Sequence, residues 1–305
     1  MEVNWQGIYP AITTKFHQDG SLDIETFQGN IEKQIEAGIH GIVIGGSLGE
    51  ASTLTNEEKL TLLDSTLEIA ENKIPVIVNI AESSTEDAIR TATQAEENGA
   101  DGLMMLPPMM YKADDRETVS FIKAVATSTN LPIMLYNNPV DYGIEITLDM
   151  LGKLKEHKNI QAIKESTRDL TNITRIINRF GDRFNLLCGV DTLAPEALVM
   201  GAKGWVAGLV CAFPRETVVI YELIQESRLK EAREIFRWFL PLLELDINPK
   251  LVQNIKLAEV ATGIGTEHVR PPRLPLTGEE REHVQSIINE ALANRPDMSA
   301  YNVSV

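Results

Sequence analysis

The sequence predicts an α/β protein, a (β/α)8 TIM barrel with a C-terminal helical extension. Three observations carry this reading. Eight short apolar runs recur along the first two-thirds of the 305 residues, at spacings of 34, 34, 27, 30, 28, 24 and 20. Each run is nearly continuous in apolar residues rather than alternating, the pattern of a parallel strand buried on both faces. Helical patterns lie between the runs, and no GxGxxG turn follows the first one, as an open doubly wound sheet more often carries.

The runs begin at Gly7 (GIYPAITT), Gly41 (GIVIGG), Pro75 (PVIVNIA), Gly102 (GLMMLPP), Pro132 (PIMLYNNP), Ile160 (IQAIKES), Phe184 (FNLLCGVD) and Gly204 (GWVAGLV). Between them, Ile24–Ala37, Asn56–Ala70 and Thr85–Asn98 place apolar residues three and four apart, as one buried helix face requires. Gly38 and Gly99 follow the last turns of the first and third as stop signals. Thr55 and Thr85 precede acidic first turns and read as N-caps. From about Phe213 the strand signal stops. Arg215–Leu243, Pro249–Thr262 and Thr277–Ala293 read as helices, with Pro271-Pro272 and Pro275 separating the last two. The first of these is expected to be the eighth barrel helix. Residues 1–228 are assigned to the barrel and 229–305 to the extension, with the stretch from Arg295 onward expected to fray.

Composition narrows the function. Lys and Arg total 28 against 44 Asp and Glu, a net charge of −16. That balance excludes a nucleic-acid partner and an anionic membrane surface, both of which need clustered cations. At 43% hydrophobic and 24% charged the chain has ordinary globular composition. Two cysteines, Cys188 and Cys211, allow no disulfide framework, and five scattered histidines form no metal motif. Met1 to Trp5 has neither a basic nor an apolar signal-peptide region, and no apolar run reaches the ~18 residues of a membrane span. A cytoplasmic location is expected.

Barrels carry their chemistry at the C-terminal ends of the strands. The polar residues closing the runs are Thr13-Thr14, Ser47 with Glu50, Asn79, Tyr136-Asn137-Asn138, Lys164-Glu165-Ser166 and Asp191. Lys164 interrupts an apolar run. A lysine buried there loses hydration, its pKa falls, and the neutral amine becomes a nucleophile able to form a Schiff base with a carbonyl. The competing reading is a structural lysine paired with Glu165. Tyr136 ends the preceding strand, beside Lys164, where its phenol is placed to pass protons; alone it reads better as a core tyrosine, and the neighbouring lysine tips the balance towards function. The turn Gly45-Gly46-Ser47-Leu48-Gly49-Glu50 offers backbone N–H groups and the Ser47 hydroxyl to a carboxylate, although glycines also serve plain tight turns. Glu50 is expected to be structural, bonding backbone N–H groups of its own loop.

These elements resemble the dihydrodipicolinate synthase / N-acetylneuraminate lyase family of class I, Schiff-base-forming barrels. The matching stretches are Gly46-Ser47-Leu48-Gly49-Glu50, Tyr136-Asn137-Asn138-Pro139 and Ile163-Lys164-Glu165-Ser166, with Pro271-Pro272 near the C-terminal helices. The likeness spans roughly residues 5–295. It implies that Lys164 forms the Schiff base and Tyr136 relays protons. It implies substrate contacts at Gly46, Ser47, Leu48, Asp141 and Val206, and no metal or organic cofactor. The expected partners are a small 2-oxo acid or its cyclic imine, and further copies of the chain in a dimer or tetramer.

Two departures bear on the substrate. Family members that make dihydrodipicolinate carry a second threonine in the glycine loop, where Leu48 stands here, and an arginine that grips the second substrate's carboxylate, where Asp141 stands. The second tyrosine of their proton relay is also displaced, with Tyr111 one place late. The combination of Gly-Ser-Leu-Gly-Glu, Leu-Pro-Pro and Tyr-Asn-Asn-Pro-Val-Asp-Tyr-Gly looks most like the branch of 1-pyrroline-4-hydroxy-2-carboxylate deaminases. A synthase or a neuraminate-lyase-type aldolase is the alternative, and a non-catalytic 2-oxo acid sensor is the rival from another class.

Overall fold

The computed structural model describes residues 1–303. Eight parallel strands form the barrel: β1 (Gly7–Pro10), β2 (Ile42–Ile44), β3 (Val76–Ile80), β4 (Gly102–Met105), β5 (Ile133–Asn137), β6 (Ile160–Glu165), β7 (Asn185–Cys188) and β8 (Gly204–Ala207). Each pairs with its sequence neighbour from β2 to β8, and β8 pairs with β1. The ring is completed beyond the end of β1, where Ala11 bridges Val43 in parallel and Ile12 N–H donates to the Val43 carbonyl at 3.0 Å. All eight predicted runs hold a strand, each shorter than its run.

Side-chain alternation sorts these strands into two layers. Tyr9, Val43, Ile77, Met104, Met134, Ala162, Leu187 and Val206 fill the barrel interior, while Ile8, Ile42, Leu103, Leu135 and Ile163 face the surrounding helices. Trp5 closes the floor, its indole N–H donating to Gln161 Oε1 at 2.9 Å. The register of β5 against β6 slips once, between Ile133 and Met134, so that Gln161 is passed over and Met134 pairs with Ala162. Such a slip re-aims every later residue. Its result is that Tyr136 pairs with Lys164, both continuing the inward-facing series one step above Met134 and Ala162.

The helices follow the strands: α1 (Ile24–Glu36), α2 (Asn56–Ala70), α3 (Thr85–Glu97), α4 (Asp115–Ser128), the single turn α5 (Pro139–Tyr142), α6 (Leu148–Leu154), α7 (Thr171–Phe180), α8 (Ala194–Val199) and α9 (Pro214–Gln225). Thr55 caps α2 in a full capping box with Glu58. Ser84, not Thr85, caps α3, because its hydroxyl is the one that reaches the Asp87 N–H.

The predicted single helix Arg215–Leu243 is two. It breaks after α9 at Ser227, which sits in the left-handed region at φ 61°, and resumes as α10 (Leu229–Leu243). Two further helices, α11 (Leu251–Thr262) and α12 (Gly278–Ala293), complete the extension, with α12 packed on α10 and α11. The stretch expected to fray is docked as far as it is described. Arg295 pairs with buried Glu216, Met298 is buried, and Arg228 donates to the Tyr301 carbonyl at 2.7 Å. Residues 304–305, part of that expectation, lie outside the described residues. Among the described residues, no helix is long and apolar enough to cross a membrane.

Candidate active site

A cavity of about 500 Å³ opens at the C-terminal ends of the strands. Its wall includes Gly46, Ser47 and Leu48 after β2, Tyr136, Asn138 and Asp141 from β5 and α5, Lys164, Ser166 and Arg168 from β6 and the loop beyond it, and Val206 and Gly208 from β8. All seven residues expected at the site therefore meet in one pocket.

Lys164 is buried, and no acidic group lies within ion-pair distance of its amine among the described residues. The pairing with Glu165 does not form. Glu165 turns to the other face of β6, where Asn137 and Asn172 donate to its carboxylate at 3.2 and 2.8 Å and the Thr167 N–H at 2.8 Å. Lys164 Nζ instead stands 4.0 Å from the centroid of the Tyr136 ring. Burial lowers the lysine pKa, against the opposing pull of Tyr142, Asp246 and Asp191. Room for the side chain comes from Gly189 in the neighbouring strand end. A Cβ there would lie 2.6 Å from Lys164 Cε and 2.1 Å from Ser166 Oγ, so only glycine fits.

Tyr136 is buried too, and its hydroxyl accepts a 3.1 Å hydrogen bond from Asn138 Nδ2, leaving its own proton free to donate. Burial pushes its pKa up to about 12, so the phenol is held as an acid. Tyr142, on α5, packs edge-on against it with ring centroids 5.7 Å apart. The Tyr142 hydroxyl meets Ser47 Oγ, so the glycine loop and α5 are joined across the pocket.

The glycine loop is fastened from several sides. Thr14 Oγ1 donates to the Gly49 carbonyl at 2.6 Å, and Asn79 Nδ2 donates to the Gly45 carbonyl at 3.1 Å. Glu50 is structural, but not in the way expected. Its carboxylate bonds Lys256 Nζ on α11 at 2.6 Å and the Arg270 N–H at 3.0 Å, not its own loop. The reason is a left-handed backbone at Glu50, φ 57°, which turns the side chain toward the extension. Lys256 is fully buried, and burial lowers its pKa to about 8 while Glu50 opposes the fall. Lys15 and Glu259 form a second buried pair beside this one, at 2.9 Å, with Thr13 donating to Glu259.

Breaking a buried ion pair on one side typically costs ~3–5 kcal/mol, because the partner is stranded. Glu50→Gln is therefore expected to destabilise the protein by about 3 kcal/mol in urea titrations. Glu50→Gln with Lys256→Met should lose less than the two single losses summed. Strictly additive losses would show that the two groups do not act as a pair.

Leu48 lines the pocket and also belongs to the apolar core. Asp141 accepts from Asn138 Nδ2 at 2.7 Å and stands 3.9 Å from Arg168. Tyr111 is largely exposed and outside the cavity. Asp191 is structural, taking donors from Trp205 Nε1 at 2.8 Å, Leu209 N–H at 2.8 Å and Gly208 N–H at 3.1 Å. Sequence reasoning missed Arg168 and Asp246 in the pocket wall. Arg168 could have been noticed as the first cation after the lysine strand. Asp246, which enters from the extension, gave no local signal.

An eight-stranded barrel that presents a desolvated lysine and a phenol at the open ends of adjacent strands is the arrangement of a class I lyase. The Dihydrodipicolinate synthetase family profile matches residues 4–291. The chain belongs to that family, which displaces the sensor reading. It is 34% identical over 275 residues to the 4-hydroxy-tetrahydrodipicolinate synthase of Exiguobacterium sibiricum, covering 89% of this chain and 92% of that one. It is also 34% identical to the enzyme of the same name from Methanoculleus marisnigri, covering 89% and 93%. Among solved structures, the pyruvate complex of the chloride-inhibited dihydrodipicolinate synthase from Acinetobacter baumannii superposes with a TM-score of 0.90 at 27% identity, covering 94% of this chain and 99% of that one. The 4-hydroxy-tetrahydrodipicolinate synthase of Methylacidiphilum fumariolicum SolV gives 0.89 at 31% identity, covering 97% and 99%.

Proposed function

We propose that this lyase works through a Schiff base on Lys164 and takes a hydroxylated 2-oxo acid or its cyclic imine, with 1-pyrroline-4-hydroxy-2-carboxylate as the specific substrate. The observation that carries this reading is the charge of the distal wall. Asp141 and Asp246 both line it, and the guanidinium nearby, Arg168, already faces Asp141. A second carboxylate is repelled there by Asp141, whereas a hydroxyl finds an acceptor in Asp141 and a hydrogen-bonding partner in the Asp246 carboxyl. The proximal carboxylate is held by the backbone N–H groups of Gly46, Ser47 and Leu48, over a floor that includes Val206.

In this chemistry Lys164 Nζ attacks C2 of the ring and the ring C–N bond opens. The resulting iminium acidifies C3. Loss of the C3 proton gives an enamine, whose nitrogen pushes its electrons back toward C3 so that a C3–C4 double bond forms, the C4–O bond breaks and water departs. Tautomerisation and hydrolysis then release ammonia and a 2-oxo acid semialdehyde. Tyr136 moves protons at the imine and at C3.

The second reading is the condensation of pyruvate with aspartate semialdehyde, favoured by the names of the relatives. At ~4 Å and an effective dielectric of ~20, like charges repel by about 4 kcal/mol. Half-exposed Asp141 and its arginine reduce that figure, so we expect condensation at least ~10²-fold weaker than ammonia release. Coupled assays of both reactions on the purified enzyme decide between them. Robust dihydrodipicolinate formation, or rescue of a lysine auxotroph lacking its own synthase, would return the protein to the second reading. We further propose a cytoplasmic homo-oligomer. One structural relative is described as the first monomeric dihydrodipicolinate synthase variant, which supports assembly as the usual state, and light scattering tests it.

A further inference from the structure

Asp246 lies in the turn between α10 and α11, yet it reaches the catalytic pocket. Its carboxyl lies against the bare α-carbon of Gly208, where a Cβ would come within 2.3 Å of Oδ1. Among the described residues no donor lies within hydrogen-bond distance of that carboxyl, in contrast to Asp191 beneath it, which three donors hold. A carboxyl brought to a cavity and given no protein partner is placed for a ligand. Its position around the ring is equally pointed. Tyr136 flanks Lys164 from β5, while Asp246 sits over β8, on the other side of the lysine strand. Burial, with Asp191 close by, raises the Asp246 pKa well above the usual carboxylate range, against the pull of Lys164, which is the direction an acid requires.

We propose that Asp246 is a second catalytic acid, which protonates the hydroxyl leaving from C4 while Tyr136 serves C3 and the imine. The proposal rests on the dehydrating function given above. In the step, the enamine nitrogen pushes its electrons to re-form the iminium and a C3–C4 double bond forms. The C4–O bond breaks, and oxygen takes the Asp246 proton to leave as water. The carboxylate so produced recovers a proton in the following tautomerisation. No external oxidant or reductant enters.

Asp246→Asn tests this on the full-length enzyme. The swap is isosteric and removes no protein hydrogen bond, so a wild-type melting curve is expected. Three readouts are compared with wild type: borohydride trapping of pyruvate on Lys164, exchange of the pyruvate methyl protons in D2O, and ammonia release from 1-pyrroline-4-hydroxy-2-carboxylate. Trapping and exchange need no leaving group and should persist within a few-fold. Ammonia release should fall ~10²–10⁴-fold in kcat, the usual worth of one acid–base group. Undiminished release, or exchange that falls as far as release does, overturns the assignment of Asp246 alone. A wild-type enzyme that exchanges protons but never releases ammonia overturns the substrate reading and the role of Asp246 with it.

Discussion

Lys164→Met is expected to abolish turnover and, at the same time, raise the melting temperature. The first effect follows from deletion of the only lysine amine lining the pocket among the described residues, without which no imine forms. Borohydride with pyruvate or another 2-oxo acid should add mass to the tryptic peptide containing Lys164 in the wild type and to nothing in the variant. Labelling of a different lysine would show the nucleophile to be elsewhere. The second effect follows from burial without an ion pair. Because burial lowers the folded-state pKa, the unfolded chain binds a proton that the folded chain releases. Folding is penalised for taking the charged amine out of water, and the difference in bound protons sets how that penalty changes with pH. The penalty is full below the folded pKa and fades as pH rises toward the ~10.4 of free lysine. Stabilisation by methionine should therefore be largest below the folded pKa, about 0.5–2 kcal/mol, and fade as pH rises into alkali. A variant less stable than wild type at pH 7 would contradict this account.

Tyr136→Phe is expected to leave the fold intact and lower kcat by ~10²–10⁴-fold. The ring remains, so its edge contact with Tyr142 and its stacking beneath the Lys164 amine survive. Only the hydroxyl goes, and with it the hydrogen bond from Asn138, whose amide keeps Asp141 as a partner. Trapping on Lys164 should slow but persist, since the amine is untouched. Near-wild-type turnover at saturating substrate would make Tyr136 a packing residue.

Most of the barrel was legible in the sequence because its signal is local. A buried parallel strand must be apolar on both faces, so runs such as Pro75–Ala81 announce themselves without any long-range information. Lys164 was legible for the same reason, as the one cation inside such a run. The break at Ser227 was not, since a left-handed serine carries no compositional mark and the apolar periodicity continues across it. The partners of Glu50 and the arrival of Asp246 were not legible either. Lys256 and Asp246 reach the site only through the packing of the extension, about 200 residues from the glycine loop that Glu50 closes. Charge pairs of that separation have no period and no motif to read.

The clasp between Glu50 and Lys256 has a consequence for the newborn protein. A chain emerging from the ribosome has all eight strands once residue 207 is out, but Asp246, Lys256 and Arg270 are still to come. At ~5–20 residues per second, the interval is roughly 3–12 s. Through it the glycine loop lacks its tie to Lys256, and the part of the pocket rim that residues 246–249 and 251 supply is missing. The pocket wall is therefore finished only when the last helices have been made, well after the strand that carries Lys164.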